Sequence, residues 1–213
     1  MINFINSQKN TFLAITAMVV GVIFIDIHGL IVKYLGGEYS TIQLALFRNT
    51  FAIIPLILLL IYNKESSDLF KNLSKKFILF CFVRGSCFLA INILYYIAIN
   101  NMEFATASTL TFSSTFFIVI LSIFFLGDKV GIYRWSAVIF GFIGVVMIMR
   151  PNSSIFSYYS ILPILVAFLW AVQVIVLKFI PDNFSTGKIQ FYSLFSSFLG
   201  SLVFIFFTTG HTY

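Results

Sequence analysis

Asp26 and His28 stand in the middle of GVIFIDIHGLIVKYLGG (Gly21–Gly37), while Arg48 and Arg84 interrupt the apolar runs ALFRN and FVRG. A charged side chain at membrane depth costs about 2.5–3.5 kcal/mol on insertion scales, so each must find a partner, line a wet cavity or hold a ligand. The chemistry on offer is charge pairing, proton exchange and anion recognition. A guanidinium forks onto a carboxylate or phosphate, and an imidazole titrates near neutrality. Asp26 and His28 are two residues apart, so on one helix they point in different directions and are not a catalytic pair. Asp26 lies late in the first apolar run and Arg48 early in the second, at similar depth. The expectation is an Asp26–Arg48 ion pair across the first hairpin, with a substrate or proton role for Asp26 as the alternative. His28 reads as a hydrogen-bonded bundle residue or a proton switch. Arg84 suits either a structural bond or a substrate carboxylate or phosphate.

A second set of candidates is uncharged. Ser108, Thr111, Thr115 and Ser122 recur at helical spacing, which makes a polar stripe. It reads as a cavity wall or as a tight helix–helix seam, the seam being preferred because hydroxyls and small side chains bond across helices. Gly141 with Gly144, and Ser196 with Gly200, read as packing positions on the same grounds. Trp170 and Gln173 fall in the middle of a later apolar run and are candidates for a central cavity. Tyr95 and Tyr96 read as interfacial belt residues. For a sulfonium cation, an aromatic face together with Asp26 would supply cation–π and Coulomb attraction.

These residues need elements to hold them, and composition says which kind. The 213 residues are 60% hydrophobic and 9% charged, with mean hydropathy +1.03, against about 25% charged in a soluble domain. Too few charges exist to cover a soluble core, so the expectation is an all-α integral membrane protein. Seven apolar segments near the ~20 residues needed to cross hydrocarbon fall at 11–32, 42–62, 77–99, 104–125, 132–149, 160–180 and 187–207. The first is too long for a cleaved signal core and lacks a small-residue cleavage site. The net charge of +6 belongs to membrane topology and not to nucleic acid, because no basic, aromatic-interleaved soluble module is present.

Nine Lys and Arg residues fall on one side: Lys9, Lys64, Lys71, Lys75, Lys76, Lys129, Arg134, Lys178 and Lys188. Lys33 and Arg150 fall on the other. The positive-inside rule then puts the N-terminus in the cytoplasm, in a bacterial inner membrane. Cys81 and Cys87 are six apart in one run and form neither a disulfide nor a metal site. No Walker motif, H-E-x-x-H or G-x-S-x-G occurs, which argues against ATP hydrolysis and against an enzyme. No cofactor or metal is expected.

A shift of 145 residues places Lys33 on Lys178, Ser40 on Ser185 and Thr41 on Thr186, setting VKYLGGEYST against LKFIPDNFST without a gap. The same shift sets His28 on Gln173. A unit of five helices is odd, so a second copy enters the membrane inverted. Inverted repeats are typical of secondary transporters, with the substrate near the midplane. The expected division is a first five-helix repeat over 1–150 and the first two helices of an inverted second repeat over 151–213.

The stretch Asn101–Pro151 resembles the end of the first repeat in EamA-type carriers of the drug/metabolite transporter superfamily. The resemblance is carried by ATAS (Ala105–Ser108), FFLGDK (Phe124–Lys129), Trp135 and GFIGVVMI (Gly141–Ile148), with Arg48 and Arg84 in the positions of that family's arginines. Where such carriers often have a proline in the fourth helix, this chain has FSST (Phe112–Thr115), which predicts a weaker kink. The resemblance implies a secondary carrier for a small organic metabolite. Within the family it is most similar to S-adenosylmethionine uptake carriers of obligate intracellular bacteria, so that metabolite is the implied substrate. Such carriers have ten helices, so the chain reads as C-terminally truncated. The alternatives are a non-transporting remnant or assembly subunit, or a carrier of another metabolite such as an amino acid. Dimerisation would cover the unpaired bundle faces.

Overall fold

The computed structural model describes residues 2–71, 73–127, 131–149, 158–181 and 183–209. Lys129, Arg150, Pro151 and the side chains of Lys9 and Arg134, all named above, lie outside what is described. Every element among the described residues is helical: α1 (Ile2–Leu35), α2 (Thr41–Tyr62), α3 (Lys75–Asn101), α4 (Phe104–Thr111), α5 (Ser114–Leu126), α6 (Ile132–Met149), α7 (Ile161–Lys178) and α8 (Thr186–Thr209). Among the described residues six spans are long and apolar enough to cross a membrane, α4 and α5 counting together as one. Large apolar side chains such as Phe12, Phe24, Phe51, Leu58 and Phe206 point outward. In a membrane protein those faces meet lipid. The chain is a multi-pass, all-α membrane protein.

The seven expected segments are all helices, but the fourth is broken. α4 stops at Thr111 and α5 begins at Ser114, with Phe112 and Ser113 forming the turn between them. The kink is therefore not weaker for want of a proline. Hydroxyls do the work: Thr109 Oγ1 donates to Ala105 O at 2.7 Å, Thr111 Oγ1 to Ser108 O at 2.6 Å and Ser113 Oγ to Leu110 O at 2.7 Å. Such back-bonding competes with the backbone ladder and bends helices. α5 ends at Gly127, whose φ of 68° lies in the left-handed region that glycine adopts freely. That explains the glycine of FFLGDK.

α3 is the central helix. It packs most extensively on α7 and α8, while α2 packs on α8 and α5 on α7. The α3–α8 contact is close because of small residues. A Cβ at Gly85 would run into Ser193 O and stand 2.7 Å from Ser196 Cβ, and one at Gly200 would stand 2.7 Å from Leu89 Cδ2. The Ser196–Gly200 pair is thus a packing seam as expected. Gly141 and Gly144 are not, since a Cβ at either meets nothing within 4 Å. Beside the seam an apolar groove of about 810 Å³ opens between α3 and α8.

The two Ser-Thr turns behave alike. Ser40 Oγ accepts from Gln43 N–H at 3.2 Å and Ser185 Oγ accepts from Lys188 N–H at 3.2 Å. α2 begins at Thr41 and α8 at Thr186, the paired positions of the 145-residue shift. Each serine satisfies one of the backbone donors orphaned at a helix start.

Gly85→Ala is expected to lower stability by about 1–3 kcal/mol through overpacking, whereas Gly141→Ala should leave it unchanged or slightly raised. Thermal unfolding of the purified variants in detergent measures both.

Candidate functional site

The polar side chains of the interior gather along α3, in two stations. Phe88, Asn92 and Tyr96 recur every four residues and so share one face of that helix. Arg48, entering from α2 about 10 Å along that helix at 1.5 Å per residue, donates to Asn92 Oδ1 and lies over the Phe88 ring, 4.6 Å from its centroid. Tyr96 is buried and its hydroxyl is 3.4 Å from His28 Nε2 on α1. Beside it, Tyr95 Oη and Ser108 Oγ on α4 are 2.9 Å apart. The belt reading of these two tyrosines is therefore replaced, because both reach into the bundle.

The second station lies nearer the start of α3. Arg84 donates to Gln190 Oε1 at 3.1 Å and to Ser193 Oγ at 3.2 Å, both on α8. Gln173 of α7 donates to the backbone oxygen of Arg84 at 3.2 Å. His28 and Gln173, the residues matched by the 145-residue shift, thus both touch α3, one at each station.

Among the described residues neither arginine has a carboxylate within ion-pair distance; the ion pair present, Lys71–Asp68, is out on the surface. The expected Asp26–Arg48 pair is not formed. Asp26 is exposed on α1. Two residues along a helix turn the direction by about 200°, so one of Asp26 and His28 can face the bundle, and His28 does. Among the described residues three buried polar atoms lack a partner: Asn49 Oδ1, Asn92 Nδ2 and Arg84 Nε. Buried orphans of this kind ask for an explanation such as a ligand or an ordered water.

The other candidates divide. Thr111 is half-buried and uses its hydroxyl on its own helix, and Thr115, past the break, is exposed. The single polar stripe assumed an unbroken helix. Trp170 is exposed on α7, whereas Gln173 is buried. Sequence reasoning missed Asn49, Asn92, Gln190, Ser193 and Ser197. Asn49 Nδ2 donates to Ser197 Oγ at 3.0 Å, joining α2 to α8. The available signal was an uncharged amide isolated in apolar text, as in FLAIN around Asn92.

This arrangement, arginines held by amides and hydroxyls in the middle of a helical bundle, meets a family model. Residues 12–150 match the EamA-like transporter family. The chain belongs to that family. Among curated proteins, the chain is 26% identical over 161 residues to the S-adenosylmethionine uptake transporter of Rickettsia bellii, covering 76% of this chain and 54% of that protein. It is 25% identical over 177 residues to the S-adenosylmethionine uptake transporter of Rickettsia prowazekii, covering 83% and 58%. It is 38% identical over 66 residues to the riboflavin transporter of Rhizobium johnstonii, covering 31% and 22%. The chain spans little more than half the length of its Rickettsia relatives. No solved structure matches it.

Removing the amide that holds Arg48 should be felt and removing the exposed carboxylate should not. Asn92→Leu is expected to cost about 1–3 kcal/mol by leaving a charged donor unsatisfied, and Asp26→Asn less than about 0.5 kcal/mol. Chemical or thermal unfolding of the two variants in detergent compares them.

Proposed function

We propose that the chain is a secondary carrier, not an enzyme, and that it moves a small metabolite bearing a carboxylate, S-adenosylmethionine being the favoured substrate. The observation that carries this reading is the pair of interior arginines bonded to neutral amides and hydroxyls. An arginine already paired with aspartate has little left to offer an anion. One held by Asn92, or by Gln190 and Ser193, keeps most of its five donors and its full charge. Arg48 is the favoured carboxylate site, with Arg84 as a second station on the path. The ammonium and sulfonium of the substrate would then be drawn toward the rings of Tyr95 and Tyr96 by cation–π attraction. Relatives of two Rickettsia species bearing that substrate's name support the choice.

The matched Ser40 and Ser185 caps and the shared use of α3 by His28 and Gln173 favour the inverted-repeat reading, with α7 and α8 as the counterparts of α1 and α2. The basic residues cluster at the end of the bundle where α3 and α8 begin. That end is accordingly assigned to the cytoplasm, in a bacterial inner membrane.

A riboflavin carrier is the second reading, favoured by the higher identity of the Rhizobium relative over its shorter match. Riboflavin has no carboxylate, so the arginines discriminate between the two. In cells expressing the chain, uptake of labelled S-adenosylmethionine at low concentration is expected to fall about 30-fold or more in Arg48→Gln, the loss that follows from removing one partner of a buried charge pair. Uptake unchanged by this substitution, or labelled riboflavin entering in its place, would reject the assignment.

A further inference from the structure

At the end of the bundle where α3 and α8 begin, the connection from α2 lies as a strap on α8. After α2, Lys64 takes a left-handed backbone with φ 58°, and the N–H groups of Lys64 and Glu65 bond back to Ile61 O at 3.1 Å and Leu60 O at 3.0 Å. This turns residues 63–71 across the bundle end onto the first turns of α8. Four hydrogen bonds from three side chains join strap and helix. Ser185 Oγ donates to Glu65 Oε2 at 2.8 Å, Lys188 Nζ donates to Asp68 O at 2.9 Å and also to Lys71 O, and Tyr192 Oη donates to Leu69 O at 3.2 Å. A Cβ at Gly187 would stand 2.6 Å from Glu65 Oε2, so the strap lies directly on the helix backbone.

Lys188 is the unusual member. It is 6% exposed, and its ammonium bonds backbone carbonyls while lying over the rings of Phe77 and Phe184, 5.7 and 5.3 Å from their centroids. Among the described residues no carboxylate lies within ion-pair distance of this ammonium, and a buried lysine so held is a poor choice for permanent stability. It suits a contact that breaks, because the ammonium regains strong hydration when it swings into water. Such compensation keeps closed and open arrangements near balance, as a two-state element requires.

We infer that residues 63–71 are a gate at this end of the bundle, and that Lys188 is the tether that holds it shut. The inference rests on the carrier reading, since a carrier must open each end in turn. Neither station on α3 is part of the gate: Arg84 and Arg48 bond other residues. Opening needs α8 to part from the strap by the loss of the four bonds above, with Lys64 as the hinge.

The test is a chain with Glu65→Cys and Ser185→Cys, with Cys81 and Cys87 replaced by alanine. Oxidation should form a disulfide between strap and α8, suppress uptake of labelled S-adenosylmethionine about tenfold or more, and be reversed by reductant. Full cross-linking with uptake unchanged would overturn the gate. No uptake by the reduced chain, when the unmodified chain also shows none, would count against the carrier reading instead. A second readout needs no transport. Adding Lys188→Met should slow disulfide formation about tenfold, the scale of losing hydrogen bonds to a charged group, while Lys178→Met, at an exposed lysine, should not. Equal rates, or no cross-link in the parent, would overturn the tether.

Discussion

An ionised side chain in hydrocarbon must be answered by something, and the architecture of this protein follows from how it answers two arginines. Arg48 and Arg84 both turn to the same bundle interior, Arg48 reaching α3 from α2 and Arg84 reaching α8 from α3. α3 is therefore both the packing centre and the line along which polar groups are placed. Its own sequence shows the dual duty. Gly85 lets α8 approach, while Phe88, Asn92 and Tyr96 present a face to α1 and α2.

The choice of neutral partners has consequences. An aspartate beside each arginine would stabilise the empty bundle more, but a buried, complete ion pair leaves nothing for an anion to gain. Amides and hydroxyls satisfy single donors, and among the described residues no carboxylate compensates either charge. The unpartnered Asn92 Nδ2 and Arg84 Nε belong to the same pattern. Function sites commonly keep such local unsatisfied groups and are stabilised by packing elsewhere. Here that packing is the Val32, Leu44, Ala45, Leu89, Tyr96, Ile99 cluster around the first station, and the Phe77, Cys81, Ile180, Ile189 cluster under the strap.

Much of the fold was legible because hydropathy alone decides it. Each apolar run of about twenty residues has to be a helix once no water can satisfy its backbone. The Ser-Thr turns were legible too, since Ser40 and Ser185 cap by the same chemistry at matched positions. Three things were not. The break at Phe112–Ser113 was hidden because the cue sought was proline, whereas consecutive hydroxyls bonding back to Ala105, Ser108 and Leu110 bend the chain. The partner of Arg48 was misread because depth in the membrane ranks charges, and Asn92 carries none. The orientation of Trp170 and Asp26 depends on how α7 and α1 are rotated against their neighbours. Helices as uniformly apolar as these give no periodic signal for that angle.

The central claim is that uncompensated arginines along α3 wait for a carboxylate. Its most direct measurement is ligand-induced thermal stabilisation of the purified, full 213-residue chain by S-adenosylmethionine and by its decarboxylated analogue, which keeps the sulfonium and the adenosine. Binding to the folded state alone raises the melting temperature in proportion to affinity. The account predicts a concentration-dependent rise with S-adenosylmethionine and little or none with the analogue. Equal stabilisation by the two would contradict it.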